Sequence, residues 1–202
     1  MILPTIRDSR FITIRRGGTL TDESHRILAL WAAKCAEHVL CFFETECPDD
    51  DRPRRAIELG RSWAHGKIKA TEAKVGAYHA NAAARDAKTV AGASARDAAR
   101  FAALSAGQAA AVAHVAAHEL GAAAYAIRAA MAVGGDTDAD GDANSAKRER
   151  GFKECAWQQE QLPDEIRELV LDDQKNRNDI CWRVFLHWDS RRSYRVEDEQ
   201  LV

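Results

Sequence analysis

Two histidines have a spacing that suits metal chemistry, because His114 and His118 are four residues apart in the segment HVAAHE. Residues at this spacing lie on one face of an α-helix, and helices present paired imidazoles to a transition metal in this way. The segment differs from the zincin motif HExxH, since no glutamate follows its first histidine. Further ligands would come from other predicted helices, where the available side chains are His38, His79, Glu72 and Glu119. The first hypothesis is therefore a metal- or cofactor-dependent enzyme with a histidine-containing site inside a helical bundle.

The same histidine pair also has a purely structural interpretation. The residues one and two turns before it include Gly107 and Ala111, so this side of the predicted helix is a groove where another helix can dock. Two partly buried histidines that form hydrogen bonds across such an interface would have the same spacing without a metal. The Glu-x-x-His signature of di-iron bundles is absent from the sequence. We favour the structural interpretation and expect no cofactor.

A second pattern, at residues 136–147, resembles a calcium-binding loop in its first half. The sequence DTDADG supplies acidic side chains at alternate positions and places Gly141 at position six, where such loops turn sharply. The second half departs from the pattern. Ala143 stands at position eight, and Lys147 replaces the bidentate glutamate at position twelve. A cation in that place opposes calcium binding, so we expect an Asp/Gly-rich surface loop without a bound ion.

The cysteines indicate a reducing compartment. Their number is odd, they are dispersed without a CxxC motif, and they stand at Cys35, Cys41, Cys47, Cys155 and Cys181. Cys35 and His38 share a predicted helical face, which is a possible nucleophile and base pair. Cys35 also belongs to an apolar stripe, so a buried thiol is the better interpretation. With no signal-like run at the N-terminus and no membrane-length apolar stretch, we expect a cytoplasmic protein.

Charge and composition argue against a nucleic-acid partner and against a β-protein fold. The net charge is −2 and basic residues are interspersed with acidic ones, which argues against a nucleic-acid-binding face. Glycine and proline are few, at 12 and 4 residues, and this disfavours a turn-rich β-protein. We therefore expect neither nucleic acid nor a membrane as a partner, while a homo-oligomer stays open.

Alanine dominates the middle of the chain and predicts the fold class. Between Ala70 and Val133, 29 of 64 residues are alanine, which has the highest helix propensity and lets helix backbones approach closely. Interspersed larger apolar residues indicate burial rather than a single exposed helix. The sequence predicts an all-α, single-domain, alanine-rich bundle of about six to seven helices.

Helix start and stop signals divide the chain into predicted elements. A helix from Thr21 to about residue 44 has the clearest apolar periodicity, and the long helix over roughly 94–133 is expected to bend or break near Gly121. Other helices are predicted near 53–65, 71–90, 147–160 and 163–186. Outside them we expect an irregular arm at 1–18, a surface loop at 134–146 and a polar tail at 189–202.

Several segments together resemble a family of bacterial helical immunity proteins. The resemblance extends over nearly the whole chain, with the Asp-rich loop as an insertion or variable region. It is carried by the segments RRGGTLTD (15–22), HRILALWAA (25–33), CAEHVL (35–40), DRPR (51–54) with AI (56–57), AHVAAH (113–118), YA (125–126) and LP (162–163) with IR (166–167).

The resemblance implies a function without implying site residues. Immunity proteins of polymorphic toxin systems bind a cognate protein toxin in the producing cell and block it. The leading hypothesis is therefore a non-enzymatic protein that binds and neutralises such a toxin, and the metal-dependent enzyme is the alternative. A third possibility is a small-molecule-binding protein whose cleft is lined by tryptophans and by the histidine flank. Convergence of His38, His79, His114 and His118 would favour the enzyme, and separate hydrogen-bonded histidines would favour the binding protein.

Overall fold

The computed structural model describes residue 3, residues 6–134 and residues 143–185. Within these residues the chain forms eight α-helices with short 3₁₀ turns between them, which confirms the all-α prediction. The helices are α1 (Asp22–His38), α2 (Cys41–Glu46), α3 (Arg52–Ala64), α4 (Ala70–Asp86), α5 (Ala93–Ala111), α6 (Glu119–Ala132), α7 (Ala143–Glu160) and α8 (Asp164–Arg177).

Helix α5 lies at the centre of the bundle and packs against α1, α2, α3, α4 and α6. Most of its buried residues are alanine, as at Ala102 and Ala106, which have no exposed surface. Small side chains permit this number of neighbouring helices because they let helix axes come close together. At Gly107 an added Cβ would lie 3.2 Å from the carbonyl oxygen of Ala77 on α4, closer than most Cβ atoms approach backbone.

Large side chains complete the core around the buried alanines of α5. The largest fully buried ones include Trp31, Phe43 and Leu120. The indole of Trp31 donates a hydrogen bond to the backbone oxygen of Gln158, 3.1 Å away, and so ties α1 to α7. A buried Trp needs such a partner for its N–H group.

Three predicted helices are shorter or divided in the structure. The helix expected over 163–186 becomes α8, which ends at Arg177 before the 3₁₀ turn Asp179–Cys181. The helix expected from Thr21 to residue 44 ends at His38, and α2 begins after Val39 and Leu40, which are both buried at the bend. The helix expected over 94–133 ends at Ala111 and resumes at Glu119. The expected break is therefore present, but it lies at residues 112–118, a few residues before Gly121, which is inside α6.

The segments expected to be irregular contain more structure than predicted. Helix α7 begins at Ala143, so the C-terminal end of the expected 134–146 loop is helical. Residues 135–142, with most of the calcium-like pattern, and the tail at 189–202 lie outside the described residues. In the arm, the 3₁₀ turns Ser9–Phe11 and Ile14–Arg16 flank Thr13, which forms an isolated bridge with Leu20.

The arm is anchored by its own buried residues. The ring of Phe11 and the side chain of Leu20 are almost fully buried in the main core. The turn between them is tight, because Gly17 has φ +85° and a Cβ at Gly18 would lie 2.1 Å from the oxygen of Ile12. The two glycines therefore build a defined turn within the arm.

A buried ionic network joins α8 to the start of α6. The guanidinium of Arg177 donates from Nε to Asp173 at 2.7 Å, with a second shorter contact to that carboxylate, and approaches Glu119 at 3.3 Å. All three side chains are buried. Burial raises the pKa of Glu119 well above its usual value, and the neighbouring Asp173 raises it further while Arg177 opposes the rise.

Replacing an interior alanine of α5 should destabilise the fold. We expect Ala106→Leu to lower the free energy of unfolding by about 1–3 kcal/mol, because the added atoms meet closely packed helices. Urea denaturation followed by circular dichroism measures this change. Ala93→Leu on the exposed first turn of α5 is the control and should have little effect. Equal midpoints for the two variants would contradict close packing around α5.

Removing the cation of the buried network should lower the free energy of unfolding more than removing a surface cation. We expect Arg177→Leu to destabilise the protein by about 3–5 kcal/mol, because the carboxyl groups of Asp173 and Glu119 stay buried without it. Arg183→Leu is the matched control, since Arg183 forms an exposed ion pair with Asp179, four residues away. Thermal unfolding measures the stability of both variants. A similar loss of stability in each would show that the buried network stabilises the fold no more than a surface ion pair does.

Candidate functional site

The histidine pair lies in the connection between α5 and α6. His114 follows the end of α5, and His118 is the last residue of a 3₁₀ turn, Ala116–His118. Their ring centroids are 5.2 Å apart with planes tilted by 45°. The prediction that they share one face of a continuous helix is wrong. They come close because the chain turns between them.

Side chains distant in sequence hold this turn. Val115 has extended backbone angles, φ −143° and ψ 108°, which interrupts the helix and frees carbonyl groups on both sides. The Nε2 atom of His25 donates to the oxygen of Val112 at 2.7 Å, and Arg177 Nη1 donates to the oxygen of Ala117 at 3.0 Å. Buried carbonyl groups that leave a helix need such partners.

His118 is fixed in a neutral state. Its Nδ1 atom donates to Oε1 of Gln108 at 2.7 Å. Gly121 makes room for this amide, because a Cβ at that position would lie 2.5 Å from the same Gln108 oxygen. Burial lowers the pKa of His118 to about 4, and the charges of His114 and nearby arginines add to the effect. At neutral pH the ring therefore carries its proton on Nδ1.

The other predicted ligands lie elsewhere. His38 on α1 stacks on Trp157 with ring centroids 3.6 Å apart, and its Nδ1 lies 2.7 Å from Oε2 of the buried Glu154. His79 is exposed on α4. Glu72 accepts a hydrogen bond from the backbone N–H of Lys69 at the start of α4.

Glu119 is engaged by Arg177, so it is not available as a ligand without breaking the buried network. Among residues 6–134 and 143–185, no group of three or more histidine, cysteine, aspartate or glutamate side chains is placed to hold a metal ion. A transition metal at His114 and His118 stays a prediction. Cys35 is buried and burial raises the pKa of its thiol, which agrees with the buried-thiol interpretation.

A cavity of about 420 Å³ opens beside the turn. It lies between the arm, α1, α3 and the segment after α5, and its polar walls include Arg7, Arg15, Arg16, His25 and His114. Trp63 forms part of the apolar wall and meets His25 edge-on, with ring centroids 4.7 Å apart. The cavity thus brings one of the tryptophans together with one of the two candidate histidines.

Positive charge dominates this cavity. Among its described lining residues, every ionisable side chain is basic. Burial lowers the pKa of His114, and the charges of Lys74, Arg16 and Arg7 lower it further. The Nδ1 atom of His114 is buried and has no hydrogen-bond partner among the described residues. The surroundings therefore oppose protonation of His114 and favour a negative charge nearby.

A second cavity of about 380 Å³ lies next to His38. Its walls combine cations and an anion, including Lys153, Arg150 and Glu154, with the rings of Phe42 and Trp157. The Glu154 carboxylate is already engaged, since it also accepts from Gln158 Nε2 at 2.8 Å. This cavity has mixed charge and lacks the uniform character of the first.

Most of the residues around the turn carry no local signal in the sequence. Gln108 and His25 act through hydrogen bonds to a side chain and a carbonyl that no local pattern reveals. Arg15 and Arg16 stand in a segment that the sequence predicts to be irregular, so it gives no reason to place them at a cavity. The pairing of two arginines directly before a double glycine is the available signal.

Comparison with protein families gives one match that covers most of the chain. Residues 18–165 match the family described as "Imm-5 like putative immunity protein". The chain belongs to this family. Comparison with curated proteins gave no match, and comparison with solved structures gave none either. The resemblance to immunity proteins is therefore confirmed at the level of the Imm-5 like family.

The helices of this Imm-5 like chain are at most 19 residues long in the part that the structure describes. Within residues 6–134 and 143–185, none of them combines the length and the apolar character that crossing a bilayer requires.

The low pKa of His118 should make stability depend on pH. The usual histidine pKa is 6.5, so the unfolded chain takes up a proton below that pH while folded His118 stays neutral until about pH 4. Stability is lost as pH falls through this window, by on the order of 3 kcal/mol, because each pKa unit corresponds to about 1.4 kcal/mol. Urea denaturation of the wild type and of His118→Gln at several pH values between 4 and 7 measures the difference.

The variant should lose part of the pH dependence, since glutamine cannot take up the proton. His79→Gln, which changes an exposed histidine on α4, is the control and should retain the wild-type slope. An identical slope in His118→Gln and the wild type would contradict the depressed pKa.

Proposed function

We propose that this chain is an immunity protein that binds a cognate bacterial protein toxin and neutralises it in the cytoplasm of the producing cell. The observation that carries the proposal is its membership of the Imm-5 like family over residues 18–165. Neutralisation by binding requires a preformed surface and no chemistry. A bundle whose central helix packs against five others supplies a rigid support for such a surface.

The placement of the histidines supports binding over catalysis. His38 contacts α7, His79 lies exposed on α4, and the pair at 114 and 118 lies in the α5–α6 turn. Three histidine rings, those of His25, His38 and His118, use a nitrogen in hydrogen bonds that fix the fold. This arrangement resembles separate structural histidines more than a converged site.

The test is a titration against the toxin encoded beside this protein. We expect toxin activity to fall in proportion to added immunity protein and to vanish at equal molar amounts, because each toxin molecule needs one partner. Co-expression should restore growth of cells that make the toxin, and the two proteins should elute together in gel filtration. A toxin from an unrelated system is the control and should stay active.

The same titration distinguishes the alternative. An enzyme would protect at trace amounts, and the treated toxin would stay inactive and show a mass change after the two proteins are separated. Protection at trace amounts, or no association between the purified proteins, would contradict neutralisation by binding.

A further inference from the structure

We propose that the cavity between the N-terminal arm and the α5–α6 turn binds a small organic anion, whose phosphate or carboxylate group lies among Arg7, Arg16 and His114. This site goes beyond toxin binding and does not depend on it. Three features of the cavity support it: the size and composition of its walls, arginines without a counter-charge among the described residues, and the basic groups that surround His114.

Charge at the cavity is unbalanced. Arg15 is neutralised by Asp22, with Nη2 and Oδ1 2.8 Å apart. Arg7 and Arg16 form no ion pair with any residue in the described ranges, yet both line the cavity together with His25 and His114. Cations gathered around one concave space repel each other, and low-dielectric walls strengthen the field there. A bound anion would remove this repulsion.

The size and wall chemistry of the cavity suit an organic anion. A volume of about 420 Å³ lies within the range of small-molecule sites, which is roughly 300–1,000 Å³. Beside the cations, the walls are apolar and include Phe11, Val115 and the ring of Trp63. An inorganic ion would leave this apolar surface uncovered. A ligand with one charged group and one aromatic or aliphatic part would cover both.

The state of His114 also favours an anion. Its side chain lines the cavity, and four basic groups lower its pKa beyond the effect of burial: Lys74 on α4, Arg16 and Arg7 on the arm, and His25 on α1. His118 lies 5.2 Å away between ring centroids and is neutral, and Asp22 is paired with Arg15. A bound anion would favour the protonated form of His114, which the surrounding cations disfavour. Binding should therefore be coupled to proton uptake by His114.

The experiment is isothermal titration calorimetry of the full chain at low ionic strength with three probes: inorganic phosphate, phenyl phosphate and benzoate. We expect phenyl phosphate or benzoate to bind with one-to-one stoichiometry and inorganic phosphate to bind at least tenfold more weakly, because it does not contact the apolar wall. The tighter of the two aromatic probes identifies the charged group. Absence of binding by both aromatic probes would overturn the proposal.

Arg16→Gln and Arg55→Gln form a matched pair of variants. Both remove one exposed arginine charge, but Arg55 lies on α3 and does not line the cavity. We expect at least a tenfold loss of affinity in Arg16→Gln and less than a twofold change in Arg55→Gln. Equal losses would overturn the proposal by showing attraction to net charge alone, and an unchanged affinity in Arg16→Gln would overturn it by showing binding elsewhere.

Proton NMR of the histidine rings measures the pKa of His114 directly, and an anion bound elsewhere on the surface would not change this pKa. Saturating phenyl phosphate or benzoate should raise the pKa of His114, and His114→Asn assigns the resonance. An unmoved titration curve for that resonance would overturn the placement of the anion. Failure of this experiment leaves the toxin titration unaffected, because neither measurement uses the other ligand.

Discussion

Close packing of helix backbones around α5 constrains most of the molecule. Five helices reach α5 because nearly all of its buried residues are alanine, glycine or serine, whose small size lets the axes approach. The attraction between these backbones is dispersion spread over many atoms, and alanine loses no side-chain entropy on burial. Polar groups in this layer are tolerated where they find backbone partners, as Ser105 does by donating to the oxygen of Ala122 at 2.7 Å. The same tight packing leaves no space for a large side chain, so an increase of volume at a buried alanine of α5 must move a neighbouring helix.

The α5–α6 turn follows from the same constraint. Both helices belong to the alanine layer, so the chain must reverse between them within residues 112–118. Reversal frees carbonyl groups in a buried place, and His25 and Arg177 satisfy two of them. Arg177 is itself held by Asp173 and Glu119, which links α8 to the turn. The cavity lies beside this turn, and the arm supplies Phe11 and three arginines to its walls.

Alanine content and apolar periodicity are sufficient to predict the fold class, and helix boundaries such as those of α3 and α4 lie near their predicted positions. The position of the break in the 94–133 segment is not predictable in this way because residues 112–118, VAHVAAH, contain neither glycine nor proline. Gly121, the residue with the expected stop signal, instead gives room to the Gln108 amide. The turn is stabilised by partners 87 and 60 residues away, which local patterns cannot encode. A cleft lined by tryptophans and by the histidine flank is one of the possibilities that the sequence leaves open, and Trp63 and His114 do line the cavity. The arginines of the cavity are not predictable in this way, since they come from the separate segment at the N-terminus.

The family match and the residues that line the cavity overlap only in part. The match begins at residue 18, whereas Arg7, Arg15 and Arg16 precede it and Arg177 follows its end at residue 165. The matched part supplies one side of the cavity, including His25, and the arm supplies the arginines. The proposed anion binding therefore depends on contacts between the matched bundle and the arm. Phe11 of the arm is part of the folded core, and this packing places Arg7, Arg15 and Arg16 beside the cavity.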